Sequence, residues 1–463
     1  MTDLEIRDAR IVVPSQGIVE GNLRVSRGKI SGIVSSDDRS AARLVIEAGG
    51  NYVVPGAIDT HGHWGNYGDF EGDCRRESRN GAIGGTTTSL LFQRMAPTMS
   101  KKGDYKATSL PFEVLKDVGE RTSVVDFSFT PIVQDQGGAE HILGLAADCG
   151  SASVKFYMAY RDIKGAHEGS RWNKIDDGIL LDSFRTLSSR PGAIACVHAE
   201  NDEILNRTIA QFAKSDADGL RQWADANPAL AEVEAISRAR IFAQSAGISL
   251  YIVHLSGRES VGALEKAHAL YPRVFGETCT HYLLHSAELS PRTVKFSPPV
   301  RFLDDQAALW EGLASGSISC VGTDTVSTPG HLKQGSVWDM ARGAPGAGIL
   351  LSAVLSEGYL KDRLSLERSV QVTSENAAKL FGLYPRKGVI QVGSDADLVI
   401  VDMNKKWRIG DVFPSYTDYA DFEFSASPRM TIIGGEIVAR DQQIVEQPRI
   451  GHYLFRSSNG GRL

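Results

Sequence analysis

A chain of 463 residues, 42% hydrophobic and 23% charged, carries enough apolar material for one large core plus a satellite domain, which excludes a disordered or low-complexity protein. Its formal net charge is −6 with acids and bases interspersed, so no basic stripe is available for a phosphate backbone and nucleic acid is not expected as a partner. The five cysteines are scattered and form no CxxC pair, the opening MTDLEIRDARIVVP lacks an apolar leader, and no run is long enough to span a bilayer; together these predict a cytoplasmic protein with reduced thiols and no membrane partner.

Residues 1–54 hold short alternating segments and a hairpin signal over 23–33, and they are predicted to form the first part of a small β-sandwich. Residues 55–386 are predicted to form the main domain, because β-branched apolar stretches there alternate with amphipathic ones. Strands are predicted over 52–59, 86–92, 124–133, 151–158, 193–199, 249–256, 274–281 and 318–324, with helices such as 111–121, 139–148, 232–246 and 258–270 between them. Eight parallel strands with intervening helices are the arithmetic of an α/β fold closed into a (β/α)₈ TIM-type barrel, although a doubly wound open sheet uses the same units. A helical pattern over 364–383 leads out of this domain. Residues 387–463, with an apolar strand at 396–403 and a hairpin at 430–438, then supply the second part of the sandwich, so that both chain ends build it.

The polar residues that end the predicted strands carry the chemistry. His61 and His63 are two apart on an extended segment, so both imidazoles point the same way and can reach one ion, or both are ordinary loop residues. His198, His254 and Asp324 each follow an apolar run, and in a barrel the C-terminal strand ends converge on one mouth. Imidazoles with a carboxylate and no cysteine suit zinc, iron or manganese rather than a structural zinc knot. Lys155 is the unusual member, since an ammonium has no lone pair for a metal. Either it pairs with a carboxylate, or the free amine captures carbon dioxide as a carbamate whose two oxygens bridge two metals.

Several ordered motifs give this chain a resemblance to the cyclic amidohydrolases, specifically the hydantoinase and dihydropyrimidinase branch, over nearly its whole length. They are Pro55-Gly-Ala-Ile-Asp-Thr-His-Gly-His63, Val154-Lys-Phe-Tyr-Met-Ala-Tyr160, Val197-His-Ala-Glu-Asn201, Tyr251-Ile-Val-His254, Gly276-Glu-Thr-Cys-Thr-His-Tyr-Leu283, Lys295-Phe-Ser-Pro-Pro-Val-Arg301 and Gly393-Ser-Asp-Ala-Asp-Leu398. The resemblance implies a metal-dependent hydrolase that opens a cyclic amide, giving an N-carbamoyl amino acid or half-amide. It implies two divalent ions, zinc first with manganese, cobalt or iron as alternatives. His61, His63, carboxylated Lys155 and Asp324 would hold one, and Lys155, His198 and His254 the other. A hydroxide bridging two ions about 3.5–4 Å apart would attack the ring carbonyl. Asp324 would carry the proton to the leaving nitrogen, and the Tyr160 hydroxyl would donate to the oxyanion. The resemblance further implies a small-molecule cyclic amide as partner and a homotetramer or homodimer.

Substrate choice is less constrained. By resemblance Ser297 contacts substrate, mostly through its backbone. Thr325 stands where relatives often carry histidine, which alters the surroundings of Asp324. Arg342 either enters the pocket, where its fork of donors would suit a carboxylate or several carbonyls, or lies on the surface. Trp64, Tyr67 and Phe70 either wall the pocket or pack against a neighbouring subunit, and His281 and His285 are read as structural or supporting residues. Allantoinase or dihydroorotase is the second enzymatic reading. A non-catalytic scaffold relative is the reading from another class; it predicts gaps in the ligand set, and all six positions are filled.

Overall fold

Apolar, β-branched segments that must hide both faces pair in parallel, and eight of them do so here. They are β1 (Ala57–Gly62), β2 (Thr86–Gln93), β3 (Asp126–Pro131), β4 (Ser153–Tyr157), β5 (Ile194–His198), β6 (Ser249–Ile252), β7 (Val274–Cys279) and β8 (Cys320–Gly322). The computed structural model describes residues 2–14, 16–96, 110–160, 175–214, 216–456 and 460–463. Parallel ladders join β1–β2–β3 and β4–β5–β6–β7–β8. Two junctions close the ring. Ile132 bridges Lys155, with Val133 N donating to Lys155 O at 3.0 Å, and Gly62 bridges Thr325, with His63 N donating to Thr325 O at 2.9 Å. The closed barrel, rather than the open sheet, is therefore what the eight segments build.

Strand limits differ from the sequence expectation in informative places. The segment predicted as one strand over 52–59 is two: Tyr52–Pro55 belongs to the terminal sheet, and β1 begins at Ala57. Gly56 marks the crossing, where any Cβ would lie 2.2 Å from the Thr87 side chain. β6 ends at Ile252, not 256, and β7 ends at Cys279, after which Thr280–Leu284 turns helical. The predicted helices are present as Phe112–Thr122, the split pair Gln136–Glu140 and Ile142–Asp148, Ala229–Ala246 and Arg258–Leu270. The segment 366–380 runs as two short α-helices around a wider turn.

The chain ends build one nine-stranded sheet, in which Tyr52–Pro55 sits between Thr2–Val13 and Leu398–Asp402. Both predicted hairpins are there. Arg27-Gly28 and Gly434-Gly435 have positive φ at both positions, the twist that two-residue hairpin turns require. Leu4, Ile6, Leu23, Val53, Leu398 and Ile432 fill its core.

A buried ionic cluster ties this sheet to the barrel. Lys387, 1% exposed at its side chain, meets Asp126 of β3 at 2.8 Å and also bonds Asp397, while Arg449 reaches Asp126 at 2.8 Å. Burial alone would raise Asp126, but Lys387 and Arg449 hold it at about 2. Among the described residues no helix is long and apolar enough to cross a membrane.

Candidate active site

Strand alternation aims His61 and His63 into the barrel mouth, and the first turn after β8 brings Asp324 to them. His61 Nε2 and His63 Nε2 lie 3.2 Å apart, and Asp324 Oδ1 is 3.1 Å from the first and 3.2 Å from the second. Opposite them His198 Nδ1 and His254 Nε2 are 2.7 Å apart, and the His254 ring stacks 5.5 Å from that of His61. Lys155 Nζ is fully buried on the same cavity, 4.3 Å from the Phe92 ring centre, with no hydrogen-bond partner among the described residues.

These contacts test whether the residues fit metal ions. Four imidazole nitrogens and a carboxylate oxygen, all groups with lone pairs a cation can use, crowd within 2.7–3.2 Å of a neighbour in two clusters. Burial lowers His63 to about 4 and takes His198 and His254 well below the ordinary imidazole range, so these rings are neutral, as ligands must be. Burial alone would raise Asp324, yet His61 and His63 keep it well below the usual carboxylate range. Burial also brings the Lys155 amine down to about 8. The donor set fits divalent ions.

Carboxylates behind the imidazoles fix their orientation. His61 Nδ1 is 2.6 Å from Glu277 Oε1, and His198 Nε2 is 2.7 Å from Glu200 Oε2, so the opposite nitrogen of each ring faces the cavity. Glu277 also accepts from Thr60 and, at 3.0 Å, from Tyr251. Neither glutamate was singled out from the sequence. Glu200 stands two residues after His198 and Glu277 interrupts an apolar strand, which were the available signals. Tyr160, His254 and Asp324 adopt φ of 68°, 46° and 48°, a left-handed conformation that costs such residues about 1–3 kcal/mol each and that the surrounding packing must sustain.

Tyr160, Ser297 and Arg342 line the same cavity as the histidines. The Tyr160 hydroxyl donates to Ser297 O at 3.4 Å, its ring lies 4.8 Å from that of His198, and the Arg342 guanidinium sits 5.3 Å from the Tyr160 ring centre. Arg342 therefore enters the pocket rather than lying on the surface. Lys295, Arg94, Gln134 and Asn66 join the lining, none of them anticipated as pocket residues.

Trp64 is a correction. The residue is 2% exposed and packs in an apolar cluster with Phe70, whose own ring meets Phe129 edge-on, so neither walls the cavity; Tyr67 does. Thr325, beside Asp324, bonds Thr323 through its hydroxyl at 2.6 Å, and its backbone closes the barrel. His281 stacks on Phe296 at 3.7 Å, and His285 bonds Ser290 at 2.9 Å, so both serve packing.

The amidohydrolase family profile matches residues 180–438, more than half of the chain. The chain belongs to the amidohydrolase family. It is 30% identical to an L-hydantoinase of Paenarthrobacter aurescens, with 98% of each chain covered. It is 31% identical to a D-hydantoinase of Geobacillus stearothermophilus, covering 98% of this chain and 96% of that one. A crystal structure of D-hydantoinase superposes with a TM-score of 0.86 at 30% identity, covering 99% of this chain and 100% of that one. This amidohydrolase thus shares with them both its full length and its barrel.

Proposed function

We propose that this amidohydrolase opens the ring of a cyclic ureide or imide of the hydantoin or dihydropyrimidine type at an amide C–N bond, giving an N-carbamoyl amino acid or a half-amide. The observation that carries the reading is the convergence of His61, His63, His198, His254, Asp324 and Lys155 on one buried cavity beside Tyr160. His61, His63 and Asp324 would hold one divalent ion, zinc first, and His198 and His254 the second. Lys155, carboxylated by addition of its neutral amine to carbon dioxide with loss of one proton, would bridge them. The ions would polarise the scissile carbonyl and lower the pKa of bound water toward about 7.

The protein's own groups do the rest. Tyr160 would donate its hydroxyl to the developing oxyanion, exchanging its bond to Ser297 O, while the Ser297 backbone and its buried hydroxyl, unpartnered among the described residues, would meet the ring edge. Asp324, which lines the cavity, would take the proton of the attacking water and return it to the leaving ring nitrogen, which would otherwise depart as a poor amide anion. We read the protein as cytoplasmic, which its five buried, unpaired cysteines support, and as a homotetramer or homodimer, which light scattering tests.

The deciding experiment purifies the protein with zinc or manganese and bicarbonate, then follows ring opening of 5-substituted hydantoins, dihydrouracil, allantoin, dihydroorotate and cyclic imides. Turnover of a hydantoin or dihydropyrimidine that is lost in Lys155→Ala is expected. Absence of bound metal together with absence of ring opening across the panel overturns the reading.

A further inference from the structure

Two basic side chains, Arg342 and Lys295, face the cavity beyond Tyr160, and neither meets a carboxylate of the described residues within 4 Å. The Arg342 guanidinium makes no hydrogen bond to a described side chain or carbonyl, and its Nε is buried without a partner. By contrast Arg301, a buried structural arginine, bonds Ser256 at 2.6 Å, Asn227 O at 3.0 Å and Glu232 at 2.6 Å. Arg342 is therefore not a clamp of the fold. Lys295, 2% exposed, donates to the carbonyls of Met340 at 2.7 Å and Trp338 at 3.4 Å and has no acidic partner.

Both cations lie on one aromatic ring, Lys295 Nζ 4.4 Å and Arg342 Cζ 5.4 Å from the centre of Trp223. Two like charges held this close in a half-dry pocket repel, and burial, with Arg342 and Lys333 nearby, pushes Lys295 down to about 6, so Arg342 carries the standing charge and an anion bound beside it favours the protonated Lys295. None of the acids around them closes on either group. Glu200 bonds His198 through Oε2 and acts on Arg342 only from beyond 4 Å, Asp339 is exposed at the rim and accepts from Ser336 at 2.8 Å, and Lys333 has Asp418 at 3.9 Å. A bound anion would supply the missing partner, and a carboxylate matches the guanidinium fork.

Position sets the length of the arm. The Tyr160 ring neighbours both the His198 ring, at 4.8 Å, and the Arg342 guanidinium, at 5.3 Å. A small heterocycle bound against Tyr160 thus presents its scissile edge to the histidines and its far substituent to the cations. We infer that the preferred substrate is a cyclic ureide bearing a carboxylate on an arm of one or two carbons, received by Arg342 and Lys295. This inference rests on the ring-opening reading above.

The test compares 5-(carboxymethyl)hydantoin with 5-(carbamoylmethyl)hydantoin, equal in shape and different in charge, on the metal-loaded enzyme and its Arg342→Gln and Lys295→Met variants. The acid is expected to exceed the amide in kcat/KM on the order of 10²-fold, and this ratio falls toward one in Arg342→Gln and drops in Lys295→Met. Either variant alone reads the ratio should the other fail to fold. A ratio near one in the wild type, or one unchanged in a folded Arg342→Gln, overturns the inference. Calorimetry separates it from the reading beneath it. If neither ring opens, the ring-opening reading fails, while tighter binding of the acid that depends on Arg342 upholds the anion site and equal or absent binding of the two compounds sinks it.

Discussion

Replacing Glu277 by glutamine changes one atom in a fully buried network and tests the metal reading without touching a ligand. Glu277 Oε1 takes the His61 Nδ1 proton at 2.6 Å, while Oε2 accepts from Tyr251 at 3.0 Å and from Thr60. A glutamine has one acceptor and one donor end. With its oxygen toward His61, the tautomer survives but the negative charge behind the imidazole is lost, and the amide must find two hydroxyls that rotate to accept. With its nitrogen toward His61, the ring must place its own proton on Nε2, the atom facing His63 and Asp324, and ligation there is blocked. Such loss of a supporting carboxylate costs about 10- to 100-fold in metal affinity, or about 1.4–2.7 kcal/mol. Competition for zinc with a chromophoric chelator measures it, and a thermal melt of the metal-free protein checks that the fold persists. A folded Glu277→Gln protein with wild-type zinc affinity would refute the assignment of His61 as an oriented ligand.

Three further outcomes are expected. Tyr160→Phe should lower kcat on the order of 10²-fold with little change in KM, because the lost hydroxyl acts on the oxyanion rather than the bound ring; steady-state kinetics on an opened hydantoin read the split. Lys387→Met should destabilise by about 3–5 kcal/mol in urea, since Asp126 and Asp397 are left buried without their shared cation, and adding Asp126→Asn and Asp397→Asn should recover much of the loss. The same cluster predicts acid sensitivity. Asp126 is depressed to about 2, so its contribution, on the order of 2 kcal/mol, is present above the ordinary carboxylate value near 4 and disappears as pH falls toward 2. Asp397 works in the opposite sense, raised by burial and by the charge of Asp126, so Asp126→Asn should flatten the stability profile between pH 4 and 2 measured by urea unfolding.

The metal ligands were legible because each ends or interrupts an apolar run, and a barrel gathers strand ends at one mouth. Residues whose roles depend on what lies across the barrel were not. Trp64 follows a metal motif in a glycine-rich loop, yet its direction is set by the contact of Phe70 with Phe129, which comes from a different strand. Lys295 was visible only as a motif letter, because its burial on Trp223 joins segments 72 positions apart. The run 52–58 is apolar before Asp59, so nothing in its periodicity marks that Gly56 passes from one sheet to another. The helix Phe70–Ile83, with its charged and glycine-bearing sequence FEGDCRRESRNGAI, carries little amphipathic signal and is held instead by the Asp69 cap on Gly72 N at 2.7 Å.

His254 shows how the two halves of the site are joined. It lies two residues past the end of β6, so strand alternation no longer sets its direction, and its φ of 46° must be imposed by neighbours. Val253 N donates to Val197 O at 3.2 Å and Leu255 N to Glu277 O at 2.7 Å, which pins the backbone on both sides of the strained residue. The second of these acceptors belongs to the residue whose carboxylate orients His61. Glu277 thus holds a ligand of one ion through its side chain and the neighbour of a ligand of the other through its main chain. Because a glutamine keeps the main-chain half, the loss expected in Glu277→Gln should fall on the ion held by His61, and Glu200→Gln should weaken the ion held by His198. Zinc titrations of the two variants should therefore resolve two separate weakened steps, whereas loss of both ions together in either variant would mean that the sites are occupied as a single cooperative unit.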